Sequence, residues 1–359
     1  MPSVLSGERL FFIDPHERYF LYQGERTSGY LWHLKERQNE LQRIPDQFTP
    51  FSSGICGSTK DVLGVGHYPG TLFRFPLRST ASELSQITYT NEHLETLLTQ
   101  FEADARLLLI FLKNVECLEV MVRDEQSAEA YVRFRVRLTD GCRENVRKRR
   151  RCIVDAIRNR SVESFSTNYL LVIETEKYDA SMTVEKKTYR YCVNEFFAGG
   201  KVSKSLTALR DDPSVSRIPL VGTAIDVDGN SAIDRKLSSP VPTEEDDHSV
   251  TEKQKRAPTG KIFCFLPLAV QEISATGLPV HVNGYFAISQ NRQHLKWPNV
   301  GHSVSSDKCL LWNHCLISEL IPRSYRDLLA SATHSKLFTA DDVYAAIPNI
   351  VEVDEKWQV

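Results

Sequence analysis

Arg147-Lys148-Arg149-Arg150-Arg151, extended by Arg143, is the densest run of charge in this 359-residue chain. Adjacent cations of this kind suit contact with nucleic-acid phosphates or a nuclear-import receptor. The competing role is the solvated face of a helix, because Val146, Ile153, Val154 and Ile157 give the same segment an apolar stripe at helical spacing. No aromatic side chains interleave with the run to stack on bases, and the formal net charge of −2 supplies no general attraction to a polyanion. Arg147, Arg149, Arg150 and Arg151 therefore form a candidate partner-binding set, with nucleic acid the less favoured partner. The ten histidines, His16, His67, His281, His294 and His314 among them, show no ligand spacing with Asp or Glu. The eight cysteines (Cys56, Cys117, Cys142, Cys152, Cys192, Cys264, Cys309, Cys315) contain no C-x-x-C pair. No metal site is expected, and the thiols read as reduced, as in the cytosol or nucleus. With no Gly-x-Ser-x-Gly turn and no Ser/His/Asp ordering, hydrolase chemistry has no support and no catalytic residue is assigned.

The elements that would position these groups are mixed. Leu10-Phe11-Phe12-Ile13, closed by Asp14-Pro15, reads as a buried strand. Residues 61–70, with Gly64, Gly66 and Gly70, read as a loop ahead of a strand over 71–78, in which Phe73, Phe75 and Leu77 share a face. From Thr90 to Leu112 the period becomes helical: Leu94, Leu97, Leu98, Phe101, Ala105 and Leu108 recur at three- and four-residue steps. This helix is expected to be a connector buried on both sides, with Phe101→Ala costing roughly 3–5 kcal/mol. Strands follow over 115–122 and 130–138, the second with Arg133, Arg135 and Arg137 facing solvent or a partner. Next come a helix over 143–158, strands near 168–176 and 185–195, a short helix after Gly200 and an apolar strand over 218–227. Residues 229–258, including Thr243-Glu244-Glu245-Asp246-Asp247, are too polar to form a core and read as a disordered loop. Strands at 261–268 and 280–288 and helices at 309–320 and 323–332, the second opened by Pro322, complete the chain. No apolar run reaches the roughly 20 residues that span a bilayer, and the start, Met1-Pro2-Ser3-Val4-Leu5, has no secretory pattern. A cytoplasmic location is expected.

Three segments carry a resemblance. Gly70-Thr71-Leu72-Phe73-Arg74-Phe75-Pro76-Leu77-Arg78, the stretch from Thr276 through Val282-Asn283-Gly284-Tyr285-Phe286 to Asn291-Arg292, and Trp312-Asn313 through Pro322-Arg323-Ser324-Tyr325 resemble, in order and spacing, the repeat module of the sacsin family. The resemblance covers about residues 5–332. It implies an α+β fold: the C-terminal remnant of a GHKL, heat-shock-protein-90-like ATPase sandwich, followed by an α/β middle domain. The expected organisation is 1–89 for the remnant, 90–228 for the first part of the middle domain, the loop 229–258, the second part over 259–335, and a tail over 336–359. By the same resemblance Gly70 and Thr71 would edge a nucleotide phosphate site, and Arg292 would be the middle-domain side chain that reaches it. The helix carrying the family's water-activating Glu and magnesium-holding Asn would precede Leu10, so no complete ATPase site is expected. ATP and Mg would bind only if a preceding segment completed it. The implied function is a chaperone or co-chaperone module in folding quality control, acting on protein clients or heat-shock partners, with self-association left open. The alternative is a MutL-type or chromatin GHKL relative that binds nucleic acid through helix 143–158.

Overall fold

The structure, a computed structural model, describes residues 3–7, 9–13, 29–33, 36, 39, 68–74, 77, 81, 86–122, 130–159, 163–178, 184–200, 202–213, 215, 217–228, 260–268, 276–290, 294–297, 307–348, 351, 353 and 357. The expected disordered loop over 229–258 lies outside them. The fold is α+β, and the chain divides into two compact units, Met1–Phe101 with Val120–Arg133, and Glu102–Glu119 with Phe134–Val359.

The first unit holds a four-stranded antiparallel sheet of β1 (Ser3–Gly7), β2 (Arg9–Ile13), β3 (Gly29–His33) and β4 (Tyr68–Arg74), in the order β3-β2-β1-β4. β4 begins earlier than expected. Tyr68, Pro69 and Gly70 already belong to it, and the register shifts opposite Ser6 and Gly7.

The second unit is built on a mixed sheet of β5 (Cys117–Val122), β6 (Tyr131–Leu138), β7 (Phe165–Tyr178), β8 (Val184–Phe197), β9 (Leu220–Asp226), β10 (Ile262–Cys264), β11 (Leu266–Pro267) and β12 (His281–Gly284), of which Val120–Val122 of β5 and Tyr131–Arg133 of β6 are counted with the first unit. Their order is β11-β10-β12-β9-β8-β7-β6-β5; β10 and β12 run parallel, whereas β11 with β10, β12 with β9, β9 with β8, β8 with β7 and β7 with β6 are antiparallel. β7 and β8 pair over their full length, Phe165 with Phe197 through Tyr178 with Val184. Alternation along them sends Tyr169, Leu171, Ile173, Tyr191, Val193 and Glu195 to one face, and Cys192, Asn194 and Phe196 to the other. Onto the first face pack the end of α1 (Asn91–Phe111) and α2 (Asp140–Arg158), with Ile153, Phe197 and Leu220 in one apolar cluster. Onto the second pack α4 (Lys308–Cys315) and α5 (Ile321–His334), while a short α3 (Lys204–Arg210) contributes Leu206 and Leu209 to the same core.

Four details depart from the sequence reading. Only the end of α1 is enclosed: Ala105, Leu107, Leu109, Ile110 and Phe111 are buried, whereas Leu97 is 49% exposed and Phe101 half-buried. The stripe set by Leu94 and Phe101 is therefore not covered along its length, and the burial is concentrated where the last turn meets the sheet. Second, 309–320 and 323–332 form one rod, α4 running through a wide π turn (Leu316–Leu320) into α5. Pro322 lacks an N–H and its ring crowds the carbonyl four residues back, and a widened turn accommodates both. Third, the strand expected over 280–288 ends at Gly284, because side chains of α4 capture the backbone beyond it. Last, the stretch after 335 packs: α6 (Ala340–Ala345) is opened by a Thr339–Asp342 capping box, and Phe338, Ala346, Val353 and Trp357 join the core.

Candidate interaction site

Gly70 and Thr71 lie on β4 at one edge of the first sheet, with Thr71 opposite Ser6 and its side chain exposed. Arg292 lies outside the described residues. The four arginines of the basic run lie on α2 and are split among different roles. Arg147 grips Glu116 with Nε and Nη2 at 2.6 and 2.7 Å, a two-pronged pair that holds the Glu116 carboxyl below its usual range. Arg149 and Arg151 are exposed. Arg150 is 4% exposed, and its Nη2 donates to the carbonyls of Leu109 and Ile110 at 2.9 and 3.1 Å.

Those carbonyls end α1, so Arg150 is a cap supplied by another element, its positive charge set at the negative end of the helix. The spacing carried this signal. Arg150 stands four residues after Val146 and three before Ile153, on the apolar stripe rather than the charged face. Its guanidinium also lies over the Tyr169 ring at 5.9 Å. Nearby, Tyr169 donates to Glu195 Oε2 at 3.4 Å, and Glu195 is 1% exposed on the central strand β8. Burial raises the Tyr169 phenol pKa, and Glu195 raises it further. Burial lowers the Lys113 ammonium pKa, Glu195 counters this, and Arg150 adds to the lowering. Lys113 Nζ sits 5.5 Å over the Phe265 ring, and Phe265 stacks edge-on against Tyr285. This buried cluster joins the end of α1 to the sheet by charge as well as by apolar contact.

The second and third of the segments that carry the resemblance serve a second polar network. Asn313 Oδ1 accepts from Ala287 N–H at 2.7 Å, while its Nδ2 donates to the carbonyls of Ala287 and Lys296, both at 2.9 Å. Trp312 Nε1 donates to the Tyr285 carbonyl at 2.9 Å, and Asn283 Oδ1 accepts from Phe265 N–H at 2.8 Å, where Phe265 has φ 66°. Ser324 Oγ donates to Asn194 Oδ1 at 2.6 Å and meets Thr223 at 3.0 Å, tying α5 to β8 and β9. Asn283, Trp312 and Asn313 satisfy irregular backbone, Ser324 joins side chains of two strands, and each of these bonds holds the fold together. The β6 arginines are similarly engaged. The register sets Arg135 opposite Glu176 and Arg137 opposite Glu174, with ion pairs of 3.1 and 2.8 Å.

His281 is half-buried near Tyr191 and Phe263, and its Nδ1 accepts from Lys261 N–H at 3.1 Å. Burial first, then the positive charges of Arg106 and Lys261, lower its pKa from 6.5 to about 4. The unfolded chain therefore takes up this proton first, and the associated stability is intact above pH 6.5 and lost as pH falls toward 4. Between pH 7 and pH 4.5, denaturant titrations should show the wild type losing about 2–3 kcal/mol more than His281→Gln. Equal losses would refute the assignment.

No group of three or more His, Cys, Asp or Glu able to hold a metal is present among the described residues. The cysteines described, Cys117, Cys142, Cys152, Cys192, Cys264, Cys309 and Cys315, are free thiols. No helix among the described residues is long and apolar enough to cross a membrane. The first unit instead exposes apolar side chains: Phe73 57%, Leu77 52%, Ile87 64%, Tyr89 40%, Leu97 49%, Met121 42% and Tyr131 37%.

Comparison with known proteins gives two findings. Residues 1–135 match the family model described as Sacsin domain. The chain is also 30% identical over 376 aligned positions to a human protein named Sacsin, in an alignment that takes in 100% of this chain and 8% of that relative.

Proposed function

We propose that this chain, a sacsin-like module related to sacsin along its whole length, works by holding other polypeptides in a chaperone-type role. The carrying observation is where apolar surface is exposed. Of the twelve large apolar side chains exposed among the described residues, seven (Phe73, Leu77, Ile87, Tyr89, Leu97, Met121, Tyr131) fall within the stretch matched by the Sacsin domain, and the other five (Val184, Leu266, Tyr344, Ile347, Val351) lie beyond it. Contiguous exposed apolar surface marks contact sites for other proteins, and the proposal takes these seven side chains to form such surface. The reading also takes the first sheet as the closing strands of a GHKL-type domain and the second unit as the middle domain that follows it. The use of Arg150 as an internal cap and of Arg147 as a partner to Glu116 favours protein over nucleic acid as the binding partner.

Light scattering from thermally unfolding citrate synthase tests this. The chain should delay aggregation of the client. Leu77→Ser, Tyr89→Ser and Leu97→Ser together should remove at least half of that delay while leaving the chain's own melting temperature within a degree or two. A wild-type chain without effect, or a triple variant as effective as wild type, would refute the proposal.

A further inference from the structure

β7 is paired on both sides along only part of its length. β6 accompanies it from Lys177 back to Ile173, and Thr139 N–H then donates to the Val172 carbonyl at 3.0 Å. There the partner chain leaves, because the Thr139 carbonyl accepts from Cys142 and Arg143 N–H, both at 3.1 Å, and α2 begins. Residues two apart on a strand direct their backbone groups to the same side. Since Val172 turns its carbonyl outward, Leu170 and Asn168 turn theirs outward too, together with their N–H groups. Among the described residues, no second strand meets them there.

Beside this edge lies a cleft of about 370 Å³, within the ~300–1,000 Å³ range of binding pockets. Leu170 and Cys192 line it from the sheet, Leu328, Ser331 and Ser335 from α5, and Asn145 from α2. Among the described residues, no charged side chain lines it.

We propose that the edge of β7 at Asn168 and Leu170 binds an extended, uncharged segment of a partner polypeptide as an added strand that continues the line of β6. The backbone selects the form of the occupant, because outward N–H and C=O groups two residues apart match an extended chain and not a helix. The lining selects its chemistry, because a charge placed among Leu170, Leu328 and Cys192 would be desolvated without a counter-ion. The segment's side chains then alternate between the α5 wall and the Asn145 side. This inference rests on the reading that the chain binds polypeptides, but it uses none of the exposed residues of the first unit.

The test uses the full chain and a fluorescein-labelled octapeptide in which Val alternates with Ser and Thr. Anisotropy should show saturable binding, and methylation of alternate backbone nitrogens should weaken it at least tenfold. Ser331→Trp, which fills the cleft from a half-buried position, should do the same, and Ser335→Arg at the exposed rim serves if the first variant fails to fold. In chain labelled with [15N]leucine, the Leu170 amide should exchange at least tenfold more slowly once peptide is bound. Absence of saturable binding, equal binding of the methylated peptide, or an unprotected Leu170 amide would overturn the proposal. So would protection that depends on the chain's own concentration without peptide, since a second copy would then occupy the edge. Peptide binding that survives in the Leu77/Tyr89/Leu97 triple serine variant separates this site from the surface proposed above: loss of client protection alone would then count against that surface and not against this edge.

Discussion

Asn313→Leu should lower the unfolding free energy by about 3–5 kcal/mol, although the replacement has the same number and branching of side-chain heavy atoms and is more apolar. The amide satisfies three backbone groups, Ala287 N–H, the Ala287 carbonyl and the Lys296 carbonyl, in a site where Asn313 is 1% exposed. Each buried backbone group left unpaired costs about 1–3 kcal/mol, which makes the loss large even at the low end. Asn313→Asp separates hydrogen bonding from packing. It keeps the acceptor for Ala287 N–H but turns an acceptor oxygen toward two carbonyls, so it should be nearly as damaging at pH 7 and partly recover at pH 4, where the acid can donate once. Urea unfolding at both pH values decides the matter. A Leu variant within about 1 kcal/mol of wild type would show that the loop over 285–297 does not depend on this side chain.

Phe111→Ala should cost about 3–5 kcal/mol, whereas Phe101→Ala should cost about 1 kcal/mol. Phe111 is 1% exposed, meets Phe263 edge-on at a ring separation of 5.0 Å, and lies where a Cβ on Gly222 would come within 3.0 Å of its ring. Gly222→Ala is therefore damaging in the wild type and milder in the Phe111→Ala background, where the new methyl group enters the vacated space. Thermal melts of the two single variants and the double variant measure this coupling. Additive losses would mean that the ring and Gly222 do not share the contact.

Much of the architecture was legible because periodicity is local. Alternation along 130–138 set Val132, Phe134, Val136 and Leu138 on one face, of which the last three are buried and Val132 is half-buried. The helix over 143–158 was visible in Val146 and Ile153, and it starts only three residues earlier than expected. The helical stripe from Leu94 to Leu108 was real as periodicity but misleading as burial, because spacing reveals that a helix has an apolar side and not how far along the helix another layer extends. The polar sites were less legible. Arg150 was read with its charged neighbours, although its position on the stripe of Val146 and Ile153 pointed inward. What a sequence cannot display is the pair of helix-end carbonyls, from residues about forty positions earlier, that makes an inward arginine stable. Likewise, the register of β6 on β7 converts Arg135 and Arg137 from surface charges into partners of Glu176 and Glu174.

The sequence by itself determined the α+β class, the placing of most strands and helices, and the kinship with sacsin through the glycine-led strand, the Val282-Asn283-Gly284 stretch and Trp312-Asn313. Each of these is a property of residues close together in the chain. Only the tertiary structure decided which charges are engaged, that Asn313 and Trp312 hold irregular backbone, and that no strand among the described residues pairs with β7 at Asn168 and Leu170 on the β6 side. Those outcomes depend on hydrogen-bond partners and covering layers from distant parts of the chain, and folding alone brings such groups within 3 Å of one another.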